Sequence, residues 1–116
     1  MEELKRINEL LVDLYGCQGS LDSVEFLVGI LRSAARSMGS KVVKTVSHKF
    51  SPTGITVILI LAETHISIHT WPEYHYAALD IFICSEEINP KIGWEVVKDA
   101  LKPSSFNIHE MTRRIT

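Results

Sequence analysis

The segment Glu63-Thr64-His65-Ile66-Ser67-Ile68-His69-Thr70-Trp71-Pro72-Glu73, followed by Tyr76 to Cys84, sets carboxylates, histidines, a tryptophan, a hydroxyl and a cysteine into a pattern that otherwise reads as buried strand. Polar reactive groups in such a stretch need a partner or a chemical role, because burying them alone is costly. Cys84 with His69, His65 or His75 offers donors for a metal. The spacing does not match the common metal signatures, since a four-residue interval faces one way on a helix and here sits in a strand-like pattern. A Cys84 and His69 pair suits nucleophilic catalysis if the fold brings the two together. Taken singly, a buried His or Cys is equally compatible with a satisfied core side chain.

The elements that must position these groups follow from periodicity and from turn chemistry. Leu21 to Met38 reads as a helix, with Asp22 as cap, Glu25 three residues on, and an apolar stripe of Val24, Leu27, Val28, Leu31 and Ala35. Gly39 ends it. Lys41 to Phe50 and Ile55 to Ala62 read as strands joined by the turn Ser51-Pro52-Thr53-Gly54. Ile66, Ile68 and Thr70 alternate with Ser67 and His69 as in a half-buried strand, which Pro72 stops. Tyr76 to Cys84 is a further strand. Asn89-Pro90 opens a second helix whose stripe is Ile92, Val96, Val97, Ala100 and Leu101, ending before Pro103. Ser105 to Met111 reads as a short terminal strand. Leu4 to Leu14 carries helical and alternating spacing at once.

At 116 residues and 46% hydrophobic, residues 1–116 suit one domain with one core. Twelve basic and 14 acidic residues are interspersed, giving a formal charge of -2 and no electrostatic footprint for nucleic acid. The longest apolar run, Ile55 to Ala62, is far short of the roughly 20 residues of a membrane span. Glu2 and Glu3 stand where a secretory signal carries positive charge, so a cytoplasmic location is expected. Cys17 and Cys84 are expected to be separate thiols, Cys17 a structural one.

His48-Lys49-Phe50, Gly54, Glu63, His65, Ser67 to Glu73, Tyr76-Ala77-Ala78, Asp80 and Cys84, in this order across nearly the whole chain, resemble the prokaryotic S-adenosylmethionine decarboxylase proenzymes, which are pyruvoyl-dependent. The resemblance also places a first strand at Leu10 to Tyr15. The fold it implies with the elements above is α+β: a two-layer sandwich of a mainly antiparallel sheet covered on one face by two helices. In this family a serine attacks the carbonyl of the preceding glutamate, and elimination then breaks the chain. The new N-terminus carries an electrophilic carbonyl that takes electrons as carbon dioxide leaves. Carried over by motif, Glu63 and Thr64 flank the cleaved bond, His69 is the base of elimination, Thr56 holds the cyclised intermediate, and Cys84 protonates the substrate carbon. Phe50 and Trp71 line the adenine site and Glu73 accepts from ribose hydroxyls. Read without the resemblance, Phe50 and Trp71 are also compatible with core packing, and Glu73 with a solvated turn. The resemblance implies S-adenosylmethionine as partner, polyamine synthesis as context, and protomers paired sheet to sheet in a homodimer.

Thr64 departs from the pattern, which has serine there. Elimination from threonine yields a 2-oxobutanoyl group, one methyl larger than pyruvoyl, and the β-branch restricts the attacking rotamer. His75 and Ser85 stand where glycine is usual, and Glu9 near where a histidine is common. Two alternatives accompany the decarboxylase reading: a non-cleaving paralogue that binds ligand or forms a heteromer with an active homologue, and a decarboxylase of another amino acid such as arginine.

Overall fold

A computed structural model describes residues 6–62 and 64–115. Strand β1 (Arg6–Tyr15) is followed by helix α1 (Val24–Met38), strands β2 (Val42–Lys49), β3 (Ile55–Leu61), β4 (His65–Trp71) and β5 (Tyr76–Ile83), helix α2 (Pro90–Leu101) and strand β6 (Ser105–Arg114). The strands form one sheet in the order β2-β3-β4-β5-β1-β6. Every neighbouring pair is antiparallel. The expected α+β two-layer sandwich is therefore the observed one.

Alternation decides the two faces. Leu10, Val12 and Leu14 of β1, Ile55, Val57 and Leu59 of β3, Ile66 and Ile68 of β4, and Leu79, Ile81 and Ile83 of β5 are all buried against the helices. The helices supply Leu27, Leu31, Ala34 and Ala35 from α1 and Trp94, Val97 and Leu101 from α2. Helix α1 touches α2 where Gly93 lets Met38 approach: a Cβ built there would lie 2.7 Å from Met38 Sδ. Among the described residues no element covers the sheet face opposite the helices.

Local signals decide most of the helix ends. Asn89 caps α2 as expected, its side chain accepting from Lys91 N, and Gly39 closes α1 in the left-handed region at φ 77°. The cap of α1, however, is Ser23 rather than Asp22, with Ser23 Oγ accepting from Phe26 N. Asp22 is drawn away to the β2–β3 turn, where its carboxylate accepts from Gly54 N at 3.1 Å. Ile92, expected in the core stripe of α2, is 45% exposed. The helix turns Gly93, Trp94 and Val97 inward instead. The terminal strand β6 is also longer than expected, pairing with β1 out to Arg114 opposite Arg6.

His75 closes the short 3-10 turn Pro72–Tyr74 with φ 52°, a left-handed conformation. Its N–H donates to Pro72 O, and its carbonyl accepts from Cys17 N at 2.8 Å, tying the turn to the end of β1. A side chain with a Cβ costs about 1–2 kcal/mol in that region, against glycine's larger entropy loss. His75→Gly is expected to stabilise the fold by about 0.5–1 kcal/mol, read as a higher urea midpoint at unchanged slope. A lower midpoint would contradict this account.

Candidate active site

Antiparallel pairing of β3 with β4 sets Thr56 directly opposite His69, both on the open face. Thr56 Oγ1 and His69 Nδ1 are 2.5 Å apart and share a hydrogen bond. In the tautomer whose Nδ1–H donates to Thr56, Nε2 is left as a free base. Burial lowers the His69 pKa below its ordinary value, and the negative charge of Glu73 raises it in part. The shift favours the neutral imidazole, the form a base requires.

Aromatic rings surround this pair. Phe50 follows β2, its N–H donating to Gly54 O across the turn, and its ring lies 5.4 Å from His69 and 4.5 Å from His48. Trp71 lies 4.1 Å from His69 on the other side and continues through Tyr76 to Tyr15. Phe50 and Trp71 are 41% and 36% exposed, so their faces are open to a ligand rather than used up in the core. Glu73, exposed on the 3-10 turn, accepts from Thr53 Oγ1 at 3.4 Å. One end of the open face therefore holds Phe50, Thr56, His69, Trp71 and Glu73 as one group, suited to a planar aromatic ring beside hydroxyls.

Thr64 and Cys84 are at the other end. Thr64 immediately precedes β4, its carbonyl accepting from Leu61 N, and its Oγ1 is buried with no hydrogen-bond partner among the described residues. A buried hydroxyl without a partner is costly, so its placement calls for an explanation. Cys84 follows β5 as a half-buried free thiol. Glu63, expected at the cleaved bond, lies outside the described residues. Five residues of extended strand separate Thr64 from His69, about 16 Å. Ala78, not Cys84, is the β5 residue opposite His69, and Cys84 is six positions further, about 20 Å away. The structure thus brings together five of the site residues expected from the sequence and sets Thr64 and Cys84 apart from them within one chain. The Cys84 and His69 nucleophile pair is not formed.

Beside these groups a polar band runs along β5, β1 and β6, from Tyr76 opposite Trp71 to Glu9 opposite Phe82. Tyr76 Oη donates to Asp13 Oδ1 at 2.6 Å, and burial followed by this acceptor pushes the phenol pKa up. His109 lies 3.8 Å from Asp13, and Arg113 lies 3.5 Å from Glu9. Burial, then the charge of Glu9, raises the Asp80 pKa. The signal for Tyr76 and His48 was their place in the alternation, which assigns them to the face of His69 and Thr56 once register is known. Thr53 had no such signal. Cys17 is buried in the core, where desolvation pushes its thiol up to about 11. Among the described residues no group of three His, Cys, Asp or Glu converges as a metal-ligand set, and no helix is long and apolar enough to cross a membrane.

The fold and site define a one-sided α+β sandwich that carries a hydroxyl and imidazole pair among aromatic rings on its open face, and the comparisons identify its family. Residues 8–114 match the family model described as S-adenosylmethionine decarboxylase, so the chain belongs to that family. It is 43% identical over 105 residues to an S-adenosylmethionine decarboxylase proenzyme of Methanococcus aeolicus, covering 90% of each chain. It is 36% identical over 107 residues to that of Caldanaerobacter subterraneus subsp. tengcongensis, covering 91% of this chain and 86% of the relative. The crystal structure of the adenosylmethionine decarboxylase from Aquifex aeolicus superposes with a TM-score of 0.89 at 28% identity, covering 97% of this chain and 93% of that one.

Because the folded chain binds the His69 proton less readily than the unfolded chain, the stability linked to His69 is full above about pH 6.5. It is lost as the pH falls from there through the folded-state value. His69 is accordingly expected to titrate below the ordinary 6.5, followed by NMR of its ring nitrogens. His69→Gln is expected to flatten that part of the stability profile, and an unchanged profile would contradict it.

Proposed function

We propose that the chain is an S-adenosylmethionine decarboxylase proenzyme that cleaves itself between Glu63 and Thr64 and works as a homodimer. The observation that carries this reading is the Thr56 and His69 pair beneath Phe50 and Trp71, in a chain whose family and motif order match. In maturation, Thr64 Oγ1 attacks the Glu63 carbonyl carbon and the Thr64 nitrogen leaves, converting the amide into an ester. A base removes the Thr64 α-proton, the Cβ–Oγ1 bond breaks, and Glu63 departs as a carboxylate. Hydrolysis of the resulting enamine releases ammonia and leaves a 2-oxobutanoyl N-terminus. The buried Thr64 hydroxyl, without a hydrogen-bond partner among the described residues, fits this role. Such a group supplies an electrophilic carbonyl that accepts electrons when carbon dioxide leaves.

The residues divide the remaining work. Phe50 and Trp71 hold the adenine between them, and Glu73, steadied by Thr53, accepts from ribose hydroxyls. Thr56 holds the cyclised intermediate, His69 Nε2 takes the proton, and Cys84 Sγ returns one to the substrate α-carbon. The distance of about 16 Å between Thr64 and His69 along β4 supports a two-chain site. A twofold axis through the open face exchanges the two ends of β4. Thr64 and Cys84 of one protomer then meet Thr56, His69, Phe50, Trp71 and Glu73 of the other. The same packing covers the face that α1 and α2 leave open.

Intact mass spectrometry is the decisive measurement: two fragments divided between Glu63 and Thr64 are expected, and a single species of 13.1 kDa that persists would overturn self-cleavage. Thr64→Ser is expected to speed cleavage by roughly fivefold, since relieving an off-rotamer attack is worth about 1 kcal/mol. Size exclusion at the mass of one protomer would sink the paired-sheet assembly.

A further inference from the structure

On the helix side of the sheet, directly behind the Thr56 and His69 pair, lies a set of contacts that no proposed chemical step uses. Alternation puts Thr70, between His69 and Trp71, on the opposite face from both. It is a fully buried polar side chain in an otherwise apolar core. Its hydroxyl donates to Leu21 O at 2.8 Å and accepts from Ile55 N at 3.1 Å. The β3–β4 ladder ends with Thr56 opposite His69, so the Thr70 hydroxyl takes the next backbone N–H beyond that end. Asp22, adjacent to Leu21, completes the contact from the other side. Its Oδ1 accepts from Gly54 N at 3.1 Å, while Lys49 Nζ donates to its carbonyl at 3.1 Å and lies 3.6 Å from its Oδ2. Gly54 has φ 104°, and a Cβ there would lie 3.1 Å from Thr70 O, so the turn is pressed against β4 with no room to spare.

We infer that Leu21-Asp22 and Thr70 form a brace that positions the Thr56–His69 pair and Phe50, with the Thr70 hydroxyl and the Asp22 carboxylate as positioning residues for S-adenosylmethionine. This rests on the reading of that pair and ring as one half of the active site. The brace acts one peptide away from the pair, Thr70 from His69 and Trp71 and Ile55 from Thr56, and reaches Phe50 through the hydrogen bond from Phe50 N to Gly54 O. Each of its bonds joins segments far apart in sequence, so without them the end of β4, the start of β3 and the turn can shift independently. A site that depends on alignment of a proton acceptor with a stacked ring loses function steeply with such shifts. Serine at position 70 keeps the hydroxyl, whereas valine keeps the shape and leaves Ile55 N–H and Leu21 C=O unpartnered. Asparagine at position 22 keeps an Oδ1 acceptor, whereas alanine removes it.

The test uses the purified chain labelled with 15N-histidine, recording the His69 ring nitrogens and the dissociation constant for S-adenosylmethionine. Thr70→Val and Asp22→Ala are expected to move the Nδ1 signal away from its hydrogen-bonded position and to weaken binding by roughly tenfold or more. Thr70→Ser and Asp22→Asn are expected to preserve both. Ring signals and dissociation constants within about twofold of the parent in Thr70→Val and Asp22→Ala would overturn the brace. So would equal losses in the conservative and non-conservative variants. Should Thr70→Val fail to fold cooperatively, Asp22→Ala against Asp22→Asn decides the matter, since the Asp22 side chain is 39% exposed. Should the parent itself bind no S-adenosylmethionine, the substrate reading fails, and the ring signals alone decide the brace.

Discussion

The pairing of Thr56 with His69 across two antiparallel strands is the constraint on which the rest of the site depends. Directly opposed residues share a face, so a slip of one position in either strand would send one of the two side chains into the core. That slip is prevented by hydrophobic burial rather than by the pair itself. Ile55, Val57 and Leu59 of β3 and Ile66 and Ile68 of β4 are buried against the helices. Their register fixes which residues remain on the open face. The geometry of a reactive hydroxyl and imidazole is thus set by apolar contacts on the reverse side of the sheet.

A sheet covered on one side has a second consequence. The open face mixes rings, carboxylates and histidines, and the carboxylates are managed locally: Asp13 by Tyr76 and His109, Glu9 by Arg113. Its two ends carry two separate groups of motif residues, Thr56 and His69 at one and Thr64 and Cys84 at the other, apart by the length of one strand. Thr64 adds a constraint of its own, because its β-branch leaves fewer side-chain rotamers than a serine would have there.

Local signals were the most legible ones. Asn89-Pro90 caps α2 through a side chain and a ring whose effects act within one turn, so the helix start could be read from the residues alone. The start of α1 could not. Asp22 and Ser23 are both competent caps, and the choice was made by Gly54, more than thirty residues away, which holds the Asp22 carboxylate. The same limit applies to β1, where helical and alternating spacing coexist. Its position between β5 and β6 selects the strand, because only an extended chain can satisfy both neighbours. Ile92 failed for a related reason: periodicity defines a stripe on α2, but packing against α1 through Gly93 sets which edge of that stripe turns inward.

The sequence by itself determined most of the elements, most of the core, the family and the residue types of the motif, including the threonine that stands in the family's serine position. These depend on composition, on periods of two and 3.6, and on short motifs, all of which are properties of neighbouring residues. Only the tertiary structure decided which of the reactive groups meet. An extended strand separates residues that are close in sequence at about 3.3 Å per position, so Thr64 and His69 part company within one motif. Strand pairing does the reverse, bringing Thr56 to His69 and Asp22 to Gly54 across intervals that no local pattern records.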